Sequence, residues 1–164
     1  MKFKAVDEIF NFDFQDALAS KFKLNDDGIS MELEGLIVEP ENSQNENYVK
    51  SYADKVNVRF LDGKILGGLK DGYRRYDAND KLIEDVDDIS MDSEEIKILL
   101  KSAGSFYLYG MNYNKDSKEG SYIYSLLIEF PSKEEYSSSN LTSYEVKISF
   151  KSAIFEWDKY LNRV

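Results

Sequence analysis

Leu18-Ala19-Ser20-Lys21-Phe22-Lys23-Leu24-Asn25-Asp26-Asp27-Gly28-Ile29-Ser30-Met31-Glu32-Leu33 is the stretch on which the reading of the fold turns. Leu18, Ser20, Phe22 and Leu24 share one parity, and Ile29, Met31 and Leu33 take up alternation again beyond Asn25-Asp26-Asp27-Gly28. Two period-two runs around an Asx-rich turn with glycine predict an antiparallel hairpin. After Gly35 the apolar parity changes to Leu36 and Val38. A β-bulge with a bend is expected there, because glycine tolerates the backbone that an inserted residue imposes.

Working outward, the same grammar repeats. Val56, Val58 and Phe60 run into Leu61-Asp62-Gly63-Lys64, and Asp-Gly is a favoured two-residue hairpin turn, so Ile65 and Leu66 are placed on a return strand. Tyr73-Arg74-Arg75-Tyr76 and Lys81-Leu82-Ile83-Glu84 flank Asp77-Ala78-Asn79-Asp80, which predicts a third hairpin. Residues 39–54, with little periodicity, read as a polar surface loop and the best candidate for a mobile region. Asp92 and Glu95 form an acidic variant of the capping box before the apolar stripe Ile96, Leu99, Leu100 and Ala103, and Gly104 suits the stop. Strands resume at Ser105–Tyr113 and Tyr122–Phe130, with a polar turn between them. Tyr144, Val146, Ile148 and Phe150 then alternate with polar residues as a half-buried strand does. Ala153, Ile154, Trp157, Tyr160 and Leu161 fit helical spacing, with Trp157 in the core.

This pattern defines an α+β fold, mainly antiparallel β, in one domain spanning 1–164. A hairpin-built sheet carries one or two helices, near 92–103 and 152–162, with a sandwich or a partly open barrel as the alternative closures.

The 164 residues are 42% apolar and 14% aromatic, enough for a sizeable core, so disorder is not expected. The chain has no cysteine and no histidine. That excludes a Ser-His-Asp triad, a Cys-His dyad, disulfides, Cys-ligated metals and the histidine-based zinc and iron sites. No phosphate-binding glycine loop occurs, so no cofactor is expected. Asp77-Ala78-Asn79-Asp80-Lys81-Leu82 begins like a calcium loop, but Lys81 and Leu82 stand where a ligand and the turn glycine belong, so no metal site is assigned. Carboxylate-only hydrolysis survives the exclusions, with Asp13 and Asp16, or Glu129 and a partner, as pairs to test.

Met1 to Glu8 reach acids before any secretory apolar run forms, and no run approaches the ~18 apolar residues of a membrane span, so a cytoplasmic protein is expected. The net charge of -10 disfavours nucleic acid and anionic membranes, and favours a basic protein partner or a cation. Two groups are candidate binding residues. Tyr107, Tyr109, Tyr113, Tyr122 and Tyr124 lie on neighbouring strands, where matched parity would gather them on one aromatic face. Asp85, Asp87 and Asp88 belong to the densest acidic run, which is also suited to the approach to a helix N-terminus.

Phe14-Gln15-Asp16-Ala17 resembles the Phe-His-Asp-Ser/Ala opening of small acidic bacterial proteins grouped as toxin-immunity-like families, with Gln15 departing from the histidine. The resemblance implies a non-catalytic cytosolic module that occludes a basic partner. A carbohydrate or other small molecule bound on the tyrosine-rich strands is the alternative.

Overall fold

A computed structural model of the chain describes residues 2–130 and 142–164. Its strands, in chain order, are β1 (Phe3–Val6), β2 (Phe12–Asp13), β3 (Ala17–Asn25), β4 (Gly28–Glu34), β5 (Ile37–Val38), β6 (Ser51–Ala53), β7 (Val56–Leu61) and β8 (Lys64–Lys70). They continue as β9 (Tyr73–Tyr76), β10 (Leu82–Val86), β11 (Ile89–Met91), β12 (Ser105–Tyr113), β13 (Tyr122–Phe130), β14 (Thr142–Phe150), β15 (Ser152–Trp157) and β16 (Tyr160–Arg163). One helix, α1 (Ser93–Ala103), lies between β11 and β12. All described strand pairs are antiparallel, in a ten-stranded sheet ordered β1-β15-β7-β4-β3-β12-β13-β14-β8-β11, a four-stranded sheet β16-β6-β5-β2, and the β9-β10 ribbon.

The large sheet is open rather than closed into a barrel, and it curls until distant strands meet. Phe60 on β7 and Phe150 on β14 have ring centroids 4.9 Å apart although β7 is third and β14 eighth in the strand order. Most of the buried apolar side chains form one continuous cluster inside the curl. At one end the small sheet seals it: Phe12 stacks on Phe155 at 4.5 Å and meets Trp157 edge-on at 5.9 Å. Helix α1 covers another side, burying Ile96 and Leu100 against β8 and β3. Each large apolar side chain so buried contributes roughly 1.5–3 kcal/mol. Among the described residues no helix is long and apolar enough to cross a membrane.

The β3-β4 hairpin forms as expected, and so does the β9-β10 ribbon, where Asp77 Oδ1 accepts from the amides of Asn79 (2.8 Å) and Lys81 (3.0 Å). Helix α1 has the capping box: Asp92 accepts from the Glu95 amide at 2.9 Å, the Glu95 carboxylate receives the Asp92 amide, and Gly104 ends the helix at φ 74°.

Four expectations change. First, Asp62-Gly63 joins β7 to β8, but these strands do not pair; each finds other neighbours in the large sheet. The turn is a corner, closed by Gly63 donating to Phe60 at 3.1 Å, and the adjacent Lys151 amide donates to Leu61 at 2.8 Å. Second, no helix forms over 152–162. Ala153, Phe155 and Trp157 alternate inward from β15, Ile154 is buried on its other face, and β16 joins the small sheet. A short apolar run buried on both sides carries the same apolar density as a helix face, and sheet pairing with β1 and β7 decides between them.

Third, the chain bends at Gly35 (φ 78°) to leave the large sheet for the small one, while the bulge of this hairpin lies in β3, where Lys21 takes φ 53° and the register shifts between Ser20 and Lys23. Fourth, residues 39–54, expected as a polar surface loop and the best candidate for a mobile region, contain β6 and two buried asparagines, Asn42 and Asn45. Asn45 donates through Nδ2 to the carbonyls of Val38, Glu39 and Val49 at 2.9–3.2 Å and accepts from the amides of Asn47 and Tyr48.

Candidate functional site

A bulge in β12 decides where the candidate tyrosines go. Leu108 pairs with Ile128 and Gly110 with Leu127, which leaves Tyr109 as the extra residue. Before the bulge, Phe106 and Leu108 face the core; beyond it Met111 and Tyr113 take the inner face, Met111 packed against the core and Tyr113 exposed at the edge. Tyr107 and Tyr109 are therefore on the outer face. Tyr109 sits among acids there, and its hydroxyl is pushed above the usual tyrosine range by burial and by Asp71, Glu129 and Glu145, with an opposing hydrogen bond to Ser143. Tyr113, Tyr122 and Tyr124 converge on the inner face, where the core runs out to solvent. Three of the five candidate tyrosines thus share a site, and two do not.

The convergence has defined geometry. Tyr113 and Tyr124 are register partners and meet edge to face at 5.6 Å. Tyr122 is the register partner of Phe150 and tilts against it at 5.9 Å, while Tyr124 stacks on the same ring at 5.5 Å and 27°. Phe150 is buried and forms a floor; Tyr122 and Tyr124 are half-buried; Tyr113 is 61% exposed at the rim. The connection from β1 to β2 supplies the opposite wall with Asp7, Ile9 and Phe10, and Met111 completes a cleft of about 380 Å³. Phe10 is 76% exposed, so most of its ring meets solvent.

Asp7, the acid in this lining, occupies the left-handed region at φ 56°, a conformation that aspartate tolerates better than most residues. Its carboxylate holds the turn in place: Oδ1 accepts from the Ala153 amide at 2.8 Å and from Ser152 Oγ at 3.0 Å, and the Asp7 amide donates to the Ala153 carbonyl at 2.8 Å. No lysine or arginine is among the lining residues. The Tyr124 hydroxyl is pushed above the ordinary tyrosine range, first by burial and then by the Tyr113 and Tyr122 hydroxyls and the Asp7 carboxylate. Aromatic faces, three phenolic hydroxyls and one carboxylate therefore line a single concavity. Such a set can hold a compact organic molecule.

The acidic candidates are largely engaged within the fold. Asp85 faces Arg74 at 3.4 Å, Glu84 takes Arg75 at 3.1 Å and the Tyr73 hydroxyl at 2.7 Å, and Asp88 accepts the Gly72 amide at 2.7 Å. Asp87 is exposed beside them. Of the carboxylate pairs, Asp13 is committed to the Gln15 amide at 3.0 Å and faces Lys50 at 3.8 Å. Among the described residues no three acids gather as a metal site. A second groove, about 660 Å³, is lined by charges of both signs, including Lys64, Lys97, Lys151, Asp26 and Asp62, and Lys97 is already paired with Glu94 at 2.9 Å. It lacks the convergence of the tyrosine cleft.

Sequence reading missed Asp7, Phe10, Met111 and Phe150 as partners of the tyrosines. Phe150 carried a signal, as one of the inward residues of the strand from Tyr144, and Met111 shares the parity of Tyr113 on one strand; Asp7 and Phe10 join them through tertiary closure. Comparison with family models, characterised proteins and solved structures finds no match to this chain.

Proposed function

We propose that the protein is a binding domain that holds a small organic ligand in the cleft between β12-β13 and the β1-β2 connection. The observation that carries this reading is the convergence of Tyr113, Tyr122 and Tyr124 with Phe150 around about 380 Å³ of space, within the ~300–1,000 Å³ range of small-molecule sites. A sheet that needed these rings only for stability would close over them; here Tyr113 and Phe10 stay largely exposed at the mouth. The absence of histidine and cysteine fits a role in which the ligand is held rather than transformed. A basic protein partner, as the net charge and the immunity-like resemblance suggest, has less support from the segment around Asp85 and Asp88, whose carboxylates already have partners.

Calorimetric titration of the purified chain with a panel of monosaccharides, small aromatic acids and small amines tests the reading. At least one compound is expected to bind the wild type and to lose about tenfold in affinity in Tyr113→Ala, the scale of one aromatic contact. A panel that leaves the wild type silent, or binding that Tyr113→Ala does not alter, would contradict it.

A further inference from the structure

The chemistry of the cleft narrows the ligand. We infer that it is a small organic cation with an apolar surface, of the quaternary or alkylated ammonium class, which rests on the cleft being a ligand site. Aromatic rings present their electron-rich faces to a cation, and a desolvated ammonium gains more from several rings than from one. Tyr113, Tyr124, Phe150 and Tyr122 supply rings linked in that order by contacts of 5.5–5.9 Å, and Phe10 supplies a further ring to the lining.

Two features distinguish this arrangement from a general aromatic cleft. The first is Asp7, a carboxylate in the lining with no lysine or arginine alongside it. Oδ1 is occupied by Ser152 and Ala153, whereas among the described residues Oδ2 accepts no hydrogen bond and forms no ion pair. A carboxylate beside aromatic rings and without a basic partner is electrostatically incomplete, and a ligand cation completes it. The second is the backbone. Asp7 is held in the left-handed region by three hydrogen bonds, so the position of its charge is fixed before any ligand arrives. Anionic ligands are disfavoured by the same carboxylate, and the -10 net charge draws cations toward the molecule from a distance.

The experiment compares three probes on the full chain by calorimetry, at equal ionic strength: choline, its neutral isostere 3,3-dimethylbutan-1-ol, and methyl β-glucoside. Choline is expected to bind at least about tenfold more tightly than the isostere, because the two differ in charge and hardly in shape. Asp7→Asn, which retains the oxygen that caps Ala153, is expected to reduce choline affinity several-fold and leave the isostere unchanged. The wild-type comparison stands alone if that variant does not fold. Equal or tighter binding of the isostere, or binding of the glucoside alone, would overturn the cation while leaving the cleft intact as a site. Silence of all three probes overturns the cation, and silence of the wider panel as well removes the site itself.

Discussion

The ring of Phe150 lies 4.9 Å from that of Phe60, joining two strands that are five steps apart in an open sheet. The other neighbours of Phe150 are Tyr122 and Tyr124, so one side chain closes the core and floors the cleft. Fold and site are therefore coupled at this residue and separable at the rim. Phe150→Ala is expected to lose about 3–5 kcal/mol of stability, as large-to-small core changes do. Tyr113→Ala, at the mouth, is expected to lose under about 1 kcal/mol. Urea denaturation of both variants measures the difference; similar losses would mean that Tyr113 belongs to the core.

Trp157 offers a second test of packing. It is fully buried among Phe3, Phe12 and Tyr160, and among the described residues its indole Nε1 makes no hydrogen bond of good geometry, its one polar neighbour being the Tyr160 hydroxyl, whose pKa it lowers. Trp157→Phe removes a donor whose burial already costs free energy, and is expected to cost less than about 2 kcal/mol. Trp157→Ala leaves a large cavity and is expected to cost about 3–5 kcal/mol. Thermal unfolding distinguishes them, and equal losses would show that the indole nitrogen is satisfied in solution.

Two glycines with positive φ separate backbone strain from steric collision. A Cβ on Gly28 (φ 128°) would lie 2.1 Å from the Phe60 carbonyl oxygen, at the corner where β4 passes the Asp62-Gly63 turn. Gly120 (φ 73°) has nothing within 4 Å of that position. Gly28→Ala is expected to destabilise by more than about 3 kcal/mol, and Gly120→Ala by only the left-handed penalty of about 1–2 kcal/mol. Chemical denaturation of the pair checks this ordering, and a tolerated Gly28→Ala would mean that the corner is built differently.

Alkaline pH should unfold the protein through its buried phenols. Tyr160 donates its hydroxyl to the Gln44 carbonyl at 2.6 Å, and burial raises its pKa to about 12, against a lowering contribution from Trp157. The unfolded chain ionises its tyrosines near pH 10, so above that pH it holds fewer protons than the folded chain and stability falls. The contribution is fully present below about pH 10 and is lost as pH rises through about 12. Tyr124, Tyr109 and Tyr144 are shifted in the same direction, also mainly by burial. Melting temperature measured from pH 8 to 12 should decline across this window, and less steeply in Tyr160→Phe. An identical decline in the variant would remove Tyr160 as a contributor.

Local signals in the sequence identified the antiparallel class, the β3-β4 hairpin and the capped helix, because Asx-Gly turns and capping boxes act within a few residues. Closure was not legible. The Asp62-Gly63 turn has hairpin chemistry, yet β7 and β8 separate because each has a better-matched neighbour elsewhere in the sheet. Nor does parity survive bulges: the shift between Ser20 and Lys23 and the extra Tyr109 each reverse which residues face inward, so an unbroken alternation in the second strand put Tyr107 and Tyr109 on the same face as Tyr113. Tyrosine composition pointed to the cleft; its carboxylate, Asp7, comes from the first strand's end and gave no local signal.

The most direct measurement of the cleft as a ligand site is a titration followed through methionine methyl resonances. Met111 lines the cleft, whereas Met31 is buried in the core and Met91 lies on β11. With methyl-labelled methionine, a ligand drawn from the cationic probes or the wider panel is predicted to shift the Met111 resonance in a saturable manner while Met31 and Met91 stay in place. Saturable shifts at Met31 or Met91 with Met111 unmoved, or no saturable shift with any compound, would contradict the account.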